Sequence, residues 1–148
     1  MHKLAHDREF IALDAKVTAP ADRTKPEVRE RLSGPAIRTF LKIARAWDLN
    51  LEDQRGLLGW PARGTLYNYQ KGKVPALAYD ALQRISLVIG IYKALHILYP
   101  EFADRWVKLP NNNPLFGGNS ALDFMKNAGI GGLEQVRRLL DARRGGWN

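Results

Sequence analysis

The chain has 148 residues, 45% of them apolar, which is enough for one ordinary domain with a real core. A formal net charge of +8 favours a polyanionic partner, nucleic acid before an anionic membrane surface. The absence of cysteine excludes disulfides and thiolate zinc sites.

The amino end, MHKLAHDREF, lacks the apolar centre of a signal peptide. Residues 1–33 are polar and broken by Pro20 and Pro26, so a flexible arm is expected there, with Phe10, Ile11 and Leu13 available for a small docking turn. Ser33-Gly34-Pro35 has the form of a helix start, and Ile37, Phe40, Leu41, Ala44 and Trp47 follow at helical spacing. A second helix begins near Asn50 or Leu51, with Glu52 and Asp53 at its positive end. Gly59 and Pro61 force a turn. A third helix runs from about Ala62 to Gln70 and is closed by Gly72; Leu66 and Tyr69 face inward, leaving Arg63, Tyr67, Asn68 and Lys71 outside.

Pro75 opens the next helix. Leu77, Ala81, Ile85, Val88, Tyr92, Leu95 and Tyr99 form a seam of heptad type, and Leu87, Ile91 and Leu98 add a second apolar face. Such a helix suits a connector between two lobes, a dimer seam or plain core packing. Its most apolar run, Ile85 to Tyr99, is shorter than the roughly 20 residues that span a bilayer, so a soluble cytoplasmic protein is expected. Pro100 breaks the pattern, and Glu101 to Leu109 is a short helix carrying Trp106. The turn formers from Pro110 to Gly118 make a loop. Ser120 caps a helix from Ala121 to about Asn127. Gly129, Gly131 and Gly132 then separate it from a last helix, Leu133 to Arg144. The fold class is all-α: an N-terminal helix-turn-helix lobe (34–88) joined by a long helix to a small helical lobe (89–148).

Enzyme chemistry finds little support. The histidines are scattered, His96 sits in an apolar helix, and the His2/His6 pair is terminal. No nucleophile elbow, zinc-protease or phosphate-loop motif occurs. No catalysis, cofactor or metal is expected. Nucleic-acid chemistry is better represented, because no acid occurs between Asp53 and Asp80 while Arg55, Arg63, Lys71 and Lys73 do. Arg63, Thr65, Tyr67 and Asn68 have the reach for base edges, and Lys71 and Lys73 suit phosphates. Gln54 and Arg55 open the second helix, where backbone amides also suit a phosphate. At the other end, Arg137, Arg138, Arg143 and Arg144 crowd the last helix, and Trp147 stands in a Gly-rich tail, a combination typical of an interface anchor.

Two blocks resemble a known family. TLYNYQKGK is similar to the end of an Xre-type helix-turn-helix. Trp106 followed by LPNNNPLFGGNSALDFMKNAGIGGLEQVRRLLDARRGGW resembles the toxin-binding domain of the Xre/MbcA/ParS antitoxins, with Trp, Pro-Asn, Leu-Phe-Gly-Gly and Leu-Leu-x-x-Arg in order. The resemblance covers roughly Gly34 to Trp147. It implies an antitoxin paired with a RES-domain toxin that degrades NAD. It implies an amino-terminal part that represses the operon through Arg63, Thr65, Tyr67, Asn68 and Lys71. It implies a carboxyl part that covers the toxin's active site through Trp106, Pro114, Leu115 and Phe116 within a loop reaching Gly118, and through Arg137 to Trp147. A homodimer on operator DNA and a larger assembly with toxin are expected. The turn from Leu58 to Leu66 is about two residues shorter than the usual Xre pattern, and Ala121 stands where many members have proline. Two other readings stay open: a plain repressor with a helical dimerisation lobe, and an interaction module without DNA binding.

Overall fold

The structure is a computed structural model that describes residues 23–145. The expected arm before residue 23, the His2/His6 pair and Trp147 lie outside the described residues. Within them the chain forms α1 (Pro26–Ala46), α2 (Leu51–Leu57), α3 (Arg63–Gln70), α4 (Tyr79–Leu98), α5 (Ala121–Asn127) and α6 (Gly129–Arg144), with 3-10 turns at Trp106–Lys108 and Pro114–Phe116. No strand is present among the described residues beyond a single antiparallel bridge between Pro110 and Ser120.

α1 starts seven residues before the expected Ser33, with Pro26 in its first turn and Pro35 inside it. Ser33 is not a cap. Its hydroxyl donates to the Arg29 carbonyl and accepts from the Leu77 backbone N–H at 2.8 Å, so it ties α1 to the entry of α4. The part of the expected arm from Pro26 to Ser33 is therefore helix, buried through Val28 and Leu32.

α2 is opened by a reciprocal cap: Asn50 Oδ1 accepts from the Asp53 N–H at 2.8 Å, and Asp53 Oδ2 accepts from the Asn50 N–H at 3.1 Å. The turn into α3 places Gly59 (φ 90°) and Trp60 (φ 65°) in the left-handed region. Glycine takes this at no steric cost; Trp60 does not, and its N–H is held by the Arg55 carbonyl at 2.7 Å.

α4 begins at Tyr79, four residues after Pro75, and is 20 residues long. It is long and apolar enough to cross a bilayer by length and composition, contrary to the shorter run read from sequence. Its apolar character has another use here. It lies at the centre of the molecule, flanked by α1 and α6, with Leu82, Ile85, Val88, Ile89, Ile91, Ala94 and Leu95 all buried. The segment from Glu101 to Leu109 is a series of turns ending in a 3-10 turn rather than a continuous helix. Gly129, Gly131 and Gly132 open α6 instead of preceding it. A Cβ on Gly132 would stand 2.4 Å from the Ala128 Cβ and 3.3 Å from the Phe124 ring, so the glycine permits close packing of α5 on α6.

The two expected lobes share one core. A single buried cluster runs from Ala36 in α1 through Leu57 and Leu66 to Leu133 and Leu140 in α6, and α5 packs directly on α2. Lys126 Nζ of α5 meets Asp53 Oδ1 of α2 at 2.8 Å, with only 19% and 11% of the two side chains exposed. α4 is thus a shared core element rather than a spacer.

Candidate functional site

Two surfaces carry the sequence-predicted residues. The first is the outer face of α3. Arg63, Tyr67 and Lys71 follow at intervals of four and are exposed, as are Gly64, Asn68 and Lys73. Thr65 is half-buried at the edge; Leu66 is fully buried, and Tyr69 is half-buried against the core, as their spacing predicts. No acidic residue lies on α3.

The structure moves the two second-helix candidates off this face. Gln54 is buried, and its amide donates to the Leu49 carbonyl at 3.1 Å, so it supports the α1–α2 corner. Arg55 is a clasp inside the turn. Its Nε donates to the Pro61 carbonyl at 2.7 Å, its Nη1 to both oxygens of Glu52 at 2.8 and 3.0 Å, and its guanidinium lies 5.6 Å from the Trp60 ring centroid. The expected use of α2 amides for a phosphate also meets a difficulty, since the Asp53 N–H is already taken by Asn50. Glu52, not among the expected residues, links the two helices. Besides Arg55 it accepts from Arg63 Nε at 3.2 Å. The hydrogen bond from Arg55, aided by the charges of Arg55 and Arg63, holds its carboxyl below the usual value of 4.5. Trp60, nearly half exposed, is a second surface residue missed by periodicity, because it belongs to a turn.

The second surface is built by the turns after α4, α5 and α6. Trp106 and Phe116 were expected to face a partner, and both are buried, at 6% and 2% exposure. They belong to an aromatic chain. Trp106 stacks on Tyr99 at 6.4 Å and meets Phe116 edge-on at 6.1 Å; Phe116 meets Phe124 edge-on at 5.5 Å. Asn113 caps the Pro114–Phe116 turn by accepting the Leu115 N–H at 2.9 Å, and Gly117 follows at φ 57°. This geometry buries Phe116 and leaves Pro114 exposed and Leu115 half-buried.

The arginines of α6 are differently placed. Arg138 and Arg144 are exposed; Arg144 lies 3.8 Å from Asp141. Arg137 pairs with Asp141 at 3.1 Å and lies across Gly90 of α4, where a Cβ would stand 1.5 Å from its Nη1. Arg143 donates to the Tyr99 hydroxyl at 2.8 Å and lines an open groove of about 520 Å³ with Phe102, Trp106, Leu109 and residues 110–113. The groove joins exposed apolar surface, notably Leu109, to amide groups and a fixed cation, which suits a protein segment better than a small apolar ligand. Leu109 and the exposed Ile97 of α4 were not among the expected site residues; Ile97 lies off both apolar faces of its helix.

His96 is packed, with Nε2 2.8 Å from Asp104 Oδ1 and its ring 4.2 Å from that of Tyr92. No group of three metal-ligating side chains occurs among the described residues.

Residues 96–146 match the family model of the antitoxin Xre/MbcA/ParS C-terminal toxin-binding domain. The matched span holds the aromatic chain, the groove and all four α6 arginines. The chain is also 37% identical over 134 residues to the uncharacterized protein y4oB of Sinorhizobium fredii, an alignment that takes in 88% of this chain and all of that relative. With the toxin-binding domain matched over residues 96–146 and a relative aligned along its full length, the chain belongs to the Xre/MbcA/ParS antitoxin family.

Proposed function

We propose that this antitoxin binds and inhibits a RES-type toxin that degrades NAD, and that it represses its own operon by binding operator DNA through α3. The family match over residues 96–146 is the observation that carries the first half. Inhibition requires no catalysis by this chain, only occupation of the toxin's pocket. The exposed Arg138 and Arg144, the groove beside Arg143, the Pro114–Leu115 corner and the segment bearing Trp147 form the proposed contact surface. Arginines suit a pocket that holds the pyrophosphate of NAD. Trp106 and Phe116 support this surface from below.

The DNA half rests on α3, whose exposed face carries Arg63, Tyr67, Asn68 and Lys71, with Thr65 at its edge, Lys73 beyond and no acid on the helix. A short helix with that chemistry fits the major groove, and a homodimer fits a palindromic site.

The test is cellular NAD on inducing a RES-domain toxin with and without this chain, together with operator binding by the Arg63→Ala, Asn68→Ala double variant. Preserved NAD with lost operator binding supports both halves. NAD loss despite co-expression removes the first half. Unchanged, salt-insensitive DNA binding by the double variant removes the second.

A further inference from the structure

We infer that Glu52 is a positioning residue that orients Arg63 to read a guanine in the operator; this rests on the proposed reading of DNA by α3. Glu52 sits in the first turn of α2, yet its carboxylate reaches the first residue of α3, eleven positions on. An acid at a DNA-facing edge repels phosphates, so charge alone does not account for it. Its partners do.

Arg55 is the fixed end of the arrangement. It is 19% exposed and held at three points: the Pro61 carbonyl, the Glu52 carboxylate and the Trp60 ring. Arg63 is the free end, 65% exposed. Between them Glu52 is immobilised by Arg55 and passes that order to Arg63. An isolated exposed pair of this kind would contribute little and hold nothing in place. One anchored on a half-buried guanidinium presents its partner in a set orientation.

The contact to Arg63 is made through Nε, at 3.2 Å. The N–H donors on its two terminal nitrogens are not engaged among the described residues. Guanine offers O6 and N7 as paired acceptors in the major groove, where adenine places a donor beside N7. A guanidinium held by Nε at the start of a recognition helix is a guanine reader. One that merely contacts phosphate needs no such orientation.

The experiment is a binding selection from randomised duplex DNA with the full chain, followed by titrations on the selected site and on single-base variants. The unaltered chain should select a guanine at one fixed position in each half-site. Glu52→Gln should lower discrimination at that position about tenfold, the lower part of what one bidentate contact supplies, while total DNA affinity stays level or rises as a negative charge leaves. A purely structural role for Glu52 would instead weaken all sequences equally, and that result overturns the inference. Arg63→Lys keeps the charge, removes the fork and should lose the same preference; if that preference persists the inference fails, whatever Glu52→Gln does to folding. Specific binding with no guanine at any position facing α3 overturns the inference alone. Absence of specific binding by the unaltered chain overturns it together with the proposed DNA reading.

Discussion

The same substitution at two glycines should have opposite effects. At Gly56 in α2, an added Cβ would stand 2.9 Å from Lys126 Cγ, 3.0 Å from Lys126 Cβ and 3.1 Å from the Trp60 ring. None of these is a free chain end: Lys126 is held near its backbone and pinned by Asp53, and Trp60 is wedged by its left-handed backbone and by Arg55. α5 must shift on α2, a form of overpacking that costs about 1–3 kcal/mol. The helix-propensity gain from glycine to alanine recovers at most about 1 kcal/mol. Gly56→Ala should therefore destabilise by about 1 kcal/mol, lowering the melting temperature by roughly 3 °C for a chain of this size. At Gly90 the predicted clash is nominally worse, at 1.5 Å, but the atom met is the terminal nitrogen of Arg137. That guanidinium can swing away, giving up a partly exposed pair with Asp141 that contributes about 0–1 kcal/mol. The propensity gain of about 1 kcal/mol offsets this, so Gly90→Ala should melt at or slightly above the parent temperature. Thermal unfolding followed by circular dichroism on both variants decides the matter. A Gly56→Ala protein as stable as the parent would refute the close seating of α5 on α2. Gly90→Ala also displaces Arg137 without replacing it, so reduced toxin neutralisation at unreduced stability would mark Arg137 as a contact residue.

Lys126→Met keeps the aliphatic stem and removes the tie to Asp53; leaving that mostly buried carboxylate with only the Asn50 amide should cost about 2 kcal/mol, read from denaturant titration. Trp106→Ala empties the middle of the aromatic chain and should cost about 3–5 kcal/mol, with neutralisation and fold lost together; a normal melt with neutralisation lost would make Trp106 a direct contact instead. Removing residues 145–148 should weaken neutralisation in the NAD assay and leave operator binding intact. Glu52 has its folded pKa depressed below 4.5, so its contribution is fully present above that value and fades only as pH falls through the lower folded value. The guanine preference should accordingly be flat between about pH 5.5 and 8; a loss already at pH 6 would point to another group.

Much of the helical pattern was legible because it is local. Ser120 caps α5 by accepting the Asp123 N–H, and the spacing of Leu66 and Tyr69 sets the inner side of α3. What was misread depends on tertiary partners. Pro35 reads as a helix start, yet Val28 and Leu32 bury an extra stretch ahead of it, and Ser33 turns its hydroxyl to Leu77. Gly129 to Gly132 read as a spacer because sequence does not reveal that Phe124 needs the room of a missing Cβ. Trp106 and Phe116 carry the type of residue found at interfaces, but the Asn113-capped turn directs Phe116 inward. Arg55 has the charge of a DNA contact and the geometry of a clasp. Glu52 was passed over because its second partner is eleven residues away.

The continuous core has a consequence for how the protein is lost. A chain whose reading helix and toxin-facing surface rest on separate domains can shed one and keep the other. Here Asp53 and Lys126 join the two, and one apolar cluster lies beneath both. Unfolding of such a small single core is cooperative. A protease that captures the opened chain would therefore take both faces at once; if α3 binds the operator as proposed, no remnant would guard the toxin while freeing the promoter, or the reverse. On the proposed reading, removal of the antitoxin would be a single event in which toxin release and derepression coincide, timed by the stability of one body.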